Sequence, residues 1–65
     1  MEIRFADNLR ILRLNKKMTQ GQLAELLSVD QRTVSAWEKK VCEPDFKTLL
    51  KLCEIFEEDL NGLIL

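Results

Sequence analysis

The sequence predicts an all-α fold of five short helices, with the second and third joined as a helix-turn-helix unit over about residues 19–40. Three observations predict it. Apolar residues recur at spacings of three and four, as in a helix with one buried face, and no strand-like alternation persists anywhere. Side chains with N-cap chemistry stand ahead of the later runs, at Thr19, Asp30, Asp45 and Asp59. The connection between the second and third runs is only about three residues, and so short a turn sets two helices at a steep angle.

The first helix follows from Phe5, Leu9 and Leu12 on one stripe, with Met18 closing the segment. Ile11 and Leu14 fall off that stripe and are expected at the surface, where they offer a partner contact or are simply scattered apolar residues. Thr19 with Gln22 three residues later is a capping box, so a second helix starts at Gln20 and packs through Leu23, Ala24 and Leu27. Ser28 and Val29 interrupt it. Asp30 then caps a third helix, read as 30–40, whose end carries Lys39 and Lys40 to complement the helix dipole. Pro44 and Asp45 open a fourth helix, with Phe46, Leu49, Leu50, Cys53 and Phe56 taken as its apolar face. Asp59 caps a short fifth with Leu60, Leu63 and Ile64 on one side.

Within the unit, small Ala24 lets the third helix cross close over the second, and Val29 plugs the turn. At about 100° per residue, Val34 and Trp37 share the inward face, which makes Trp37 a core residue rather than a stacking platform. Gln31, Arg32, Ser35, Ala36 and Lys39 fan across the other side. The same geometry would also serve a five-helix bundle built for packing alone.

Composition narrows the function. Sixty-five residues make one domain, 1–65, with a small core. With no histidine, the common general base near neutral pH is missing, so the chain is not read as an enzyme. The only glycines, Gly21 and Gly62, make no phosphate-binding loop, and the two cysteines are too few for a metal site. No cofactor and no metal are expected, and Cys42 and Cys53 are read as reduced, small apolar fillers. The mixed-charge start is not a signal peptide and no apolar run is long enough for a membrane span, so the cytoplasm is the expected location. The net charge of −1 hides an asymmetry: residues 1–40 carry eight Lys or Arg against five Asp or Glu, residues 41–65 two against six. A basic half and an acidic half suit a domain with one polyanion face and a separate second face.

The string M-T-Q-x-x-L-A-x-x-L-x-V-D-x-x-T-V-S-x-W-E, from Met18 to Glu38, resembles the phage-repressor-like helix-turn-helix family of the Cro/cI, xenobiotic-response-element type. Pro44, the apolar fourth helix and the short fifth extend the resemblance over nearly the whole chain. It implies a compact five-helix, lambda-repressor-like fold and a sequence-specific double-stranded DNA-binding transcriptional regulator, with repression the expected mode. By that resemblance Gln31, Arg32, Ser35 and Ala36 face base edges, and Gln20 stands close to phosphate and base at the start of helix two. Arg13 and Glu38 match a partly buried salt bridge, and Leu60, Leu63, Ile64 and Leu65 are candidates for a homodimer face.

The residue chemistry suits those roles. Arg32 can give two donors to guanine, Gln31 can pair with adenine through both ends of its amide, and Ala36 offers a methyl to thymine. Thr19, Gln20 and the first N–H groups of helix two suit a phosphate, as do Lys39 and Lys40 unless they serve only the helix dipole. Glu38 lies about 40° from Val34 around the helix, beside the buried face, where a partner for Arg13 belongs. The chain departs from its relatives at Lys17, Ser28, Lys40 and Glu57, where glycine is common, and at Glu58, where an apolar residue is usual. The alternative function is a protein-interaction module or an antitoxin-type helix-turn-helix protein whose main partner is another protein.

Overall fold

The computed structural model describes residues 3–65; Met1 and Glu2, the first two of the expected 1–65 unit, lie outside the described residues. Among the described residues there are five helices and no strand: α1 (Phe5–Asn15), α2 (Gln20–Leu27), α3 (Gln31–Glu38), α4 (Phe46–Phe56) and α5 (Leu60–Ile64).

Four helices begin on the side chains that the sequence nominated. Thr19 Oγ1 accepts from Gln22 N at 3.0 Å while Thr19 N donates to Gln22 Oε1 at 2.8 Å, completing the capping box. Asp30, Asp45 and Asp59 accept from the backbone of Arg32, Thr48 and Gly62 at 2.7, 2.8 and 2.7 Å. Bonds from the Thr48 side-chain hydroxyl and then its backbone N–H hold the Asp45 carboxyl below its usual range. α1 has no such cap, and its start is pinned by tertiary contacts instead. Arg4 N donates to Ile64 O at 2.7 Å and Asn8 Nδ2 to Leu63 O at 3.1 Å, so α1 satisfies carbonyls at the end of α5. A five-residue helix has little stability of its own, and this docking holds it.

One cluster of buried side chains joins all five helices: Phe5, Leu9, Leu23, Ala24, Leu27, Val34, Trp37, Leu52, Phe56 and Leu63, with Val29 half-buried at its edge. Ile11 and Leu14 are 56% and 51% exposed, off the α1 stripe as expected.

Four details correct the sequence reading. α3 ends at Glu38, so Lys39 caps the helix and Lys40 lies in the turn after it. α4 buries Leu52 and Phe56 with Leu49 and Cys53 half-buried, whereas Phe46 and Leu50 face outward at 63% and 43% exposure. Leu63 is fully buried in the chain's own core, so it has no surface to give a second copy; the expected dimer face reduces to half-buried Leu60 and Ile64 and exposed Leu65. Cys42 is exposed rather than a filler, and only Cys53 packs against the core, where burial and then the carboxylates of Asp59 and Glu58 push its thiol pKa up.

The helix ends explain the missing glycines. Among the described residues, Lys17, Ser28, Lys40 and Glu57 are those with positive φ, at 56°, 58°, 64° and 54°. In each case the next residue reaches back five positions, from Met18, Val29, Val41 and Glu58 to the carbonyls of Arg13, Ala24, Ala36 and Cys53. This is the helix stop that glycine favours, and a side chain there costs about 1 kcal/mol. Met18 and Val29 complete it with an apolar contact to the core. Glu58 is exposed and makes no such contact. Glu57→Gly is therefore expected to raise stability by roughly 0.5–1 kcal/mol, read as a higher midpoint in chemical denaturation.

Candidate nucleic-acid interface

The site is built on a buried ion pair. Arg13 on α1 donates from Nε to Glu38 Oε2 at 2.7 Å and from Nη2 to Glu38 Oε1 at 3.0 Å, a two-point grip on the end of α3. Its Nη1 donates to Met18 O at 2.8 Å in the turn before α2. Gln20 Nε2 adds a bond to Glu38 Oε1 at 3.2 Å. One carboxylate thus ties three helices, with only 10% and 5% of the Arg13 and Glu38 side chains exposed. Burial pushes the Glu38 pKa up, but the hydrogen bonds from Arg13 and Gln20 and the charges of Arg13 and Arg10 outweigh it, and the net shift is downward. Donating to the Glu38 carboxylate raises the Arg13 pKa in return.

With that clamp on its end and Val34 and Trp37 docked beneath, α3 lies with its start beside the start of α2. Gln20, Asp30, Gln31, Arg32 and Ser35 line one shallow groove of about 440 Å³ at this double helix end. Both helix dipoles present their positive ends here. Gln31 and Arg32 are exposed, Ser35 and Ala36 half-buried. The Arg32 side chain is 95% exposed, with Nε only 3.7 Å from Asp30 Oδ1; so exposed a pair is weak and releases easily. Gln31 lies against Gly21: a Cβ at position 21 would meet Gln31 Oε1 at 3.3 Å.

The structure thus brings together Gln20, Gln31, Arg32 and Ser35, with Thr19 capping α2 at the same end. Ala36 lies one residue further along α3 and Lys39 at its exposed C-cap. Lys40 is placed elsewhere: its Nζ is 3.9 Å from Asp7 Oδ2 of α1, and it lines a second groove with Phe5, Trp37 and Val41. Two residues at the site carry no binding role in the sequence reading, one lining the groove and one lying beneath Gln31. Asp30 is a wall as well as a cap, which its place beside Gln31 and Arg32 foreshadows. Gly21 underlies Gln31, and the signal for it was a glycine inside a predicted helix.

The helix-turn-helix family model matches residues 9–63. The chain belongs to the helix-turn-helix family. Among relatives in this family, the chain is 35% identical over 60 residues to the uncharacterized HTH-type transcriptional regulator YqaE of Bacillus subtilis, covering 92% of this chain and 52% of that protein. It is 33% identical over 60 residues to the HTH-type transcriptional activator BcrR of Enterococcus faecalis, covering 92% of this chain and 29% of that one. A solved transcriptional regulator from Listeria innocua superposes with a TM-score of 0.94 at 31% identity, over 98% of this chain and 60% of its own. A structure of FeII HppE in complex with substrate superposes with a TM-score of 0.84 at 29% identity, over 94% of this chain but only 36% of that chain. The chain thus spans about half the length or less of the curated relatives it matches, and about a third of HppE. Among the described residues, no helix is long and apolar enough to cross a membrane.

Proposed function

We propose that residues 1–65 act as one sequence-specific, double-stranded DNA-binding unit of a cytoplasmic transcriptional regulator, with repression as its mode. α3 enters the major groove with its N-terminal end leading. The observation that carries this reading is the shared groove at the start of α2 and α3, where exposed Gln31 and Arg32 stand above a rigid, ion-paired base.

In this reading Gln31, Arg32, Ser35 and Ala36 meet base edges, while Thr19, Gln20 and Lys39 meet the backbone. Lys40, drawn toward Asp7, contacts phosphate only after leaving that long, exposed pair. One small unit makes few base contacts, so two copies on half-sites about one helical turn apart are proposed, joined through Leu60, Ile64 and Leu65. A palindromic binding site is the sign of that arrangement.

Arg32→Ala is expected to cost about 1–3 kcal/mol of binding free energy and relax selectivity at one base position. Lys39→Ala weakens binding to all sequences alike and lowers the salt slope by about one. Titration of each variant against a set of single-base operator variants separates the two. Equal losses on every sequence for Arg32→Ala would contradict the assignment of that residue. A second reading, a module whose main partner is a protein, is favoured by the exposure of Ile11 and Leu14 on α1 and by the acidic second half.

A further inference from the structure

Gly21 is the second residue of α2 and its φ is not positive, so the backbone there has no need of glycine. Inside a helix glycine is less stable than alanine, because the unfolded chain gives up more freedom. What Gly21 supplies instead is space. A Cβ built on it would lie 3.3 Å from Gln31 Oε1, 3.8 Å from Gln31 Cδ and 3.8 Å from Thr19 Oγ1. All three are side-chain atoms, and no backbone atom is among them. The tightest is the amide oxygen of an exposed residue, which would yield by a few tenths of an ångström or change rotamer.

We propose that Gly21 is a positioning residue for base recognition: the bare surface of α2 seats the Gln31 amide and so fixes the base preference opposite Gln31. This rests on the DNA-reading function proposed above. Pairing with adenine uses the amide oxygen and nitrogen together, each at hydrogen-bond distance, so a small displacement of the oxygen spoils both contacts. Stability and selectivity therefore move in opposite directions on substitution, which a purely structural role does not produce.

The test compares the native chain, Gly21→Ala, Gln31→Ala and the double variant, by thermal unfolding and by selection from random duplex DNA. Gly21→Ala is expected to raise Tm by about 4 °C. Preference at a single base position should fall by about fivefold or pass to another base, with the other positions unchanged. In the Gln31→Ala background, Gly21→Ala should leave the preference unaltered. An identical consensus for the native chain and Gly21→Ala, or a loss spread over all positions, would overturn this proposal while leaving DNA reading intact. No consensus for the native chain would overturn both.

Discussion

Glu38→Ala is expected to cost about 3–5 kcal/mol of folding stability and to leave much of the chain unfolded at neutral pH. The substitution strands the guanidinium of Arg13, whose side chain is 10% exposed, without the carboxylate that both its Nε and Nη2 hold. Removing one partner of such a pair leaves an uncompensated buried charge, the expensive outcome. At roughly 0.05–0.15 kcal/mol per residue, a chain of 65 residues has only about 3–10 kcal/mol to lose. Gln20 loses its anchor in the same step, so the start of α2 loses its tie to the end of α3.

The pH dependence has a definite sign. The Glu38 pKa is depressed in the fold, so its contribution is fully present above the unfolded carboxyl value near 4.3. It is lost as pH falls below that value and through the folded one. Urea unfolding of the native chain and Glu38→Ala should therefore differ most at pH 7 and converge as pH falls from the unfolded carboxyl value through the lower folded one.

Leu52→Ala is expected to cost about 2–5 kcal/mol, while Leu50→Ala changes stability by no more than about 0.5 kcal/mol. Leu52 is fully buried among the helices and Leu50 is 43% exposed, so only the first leaves a cavity. Paired urea denaturation of the two variants reads the difference directly. Equal losses would mean that α4 presents another face to the core.

These two leucines show where the sequence stops speaking. α4 carries apolar residues nearly all round, at Phe46, Leu49, Leu50, Leu52, Cys53, Ile55 and Phe56. Two stripes of spacing three and four can be drawn through them, and periodicity alone does not choose. Packing into the shared core, with α5 against α4, chooses, and it is not local. Leu63 was misplaced for the same reason: its burial comes from the packing of α5 against α1, which local spacing does not show. The early end of α3 at Glu38 is also set from beyond the helix, since Val41 N reaches back to Ala36 O and forces Lys40 into a left-handed turn.

What was legible was the local chemistry. The caps at Thr19, Asp30, Asp45 and Asp59 act within three residues, so sequence contains them fully. Arg13 and Glu38 were paired by resemblance and by the wheel position of Glu38, but the third member, Gln20, is a tertiary meeting that spacing does not show. The groove inherits both kinds of information: its residue types are written along α3, and its outline comes from the way α2 lies against them.

The most direct test of DNA reading is selection of binding sites from random duplex DNA by the native chain, followed by titration of the winning site against salt. A short palindromic consensus is expected, with affinity falling linearly on a log–log plot as salt rises. Absence of any enriched sequence at low salt would contradict it.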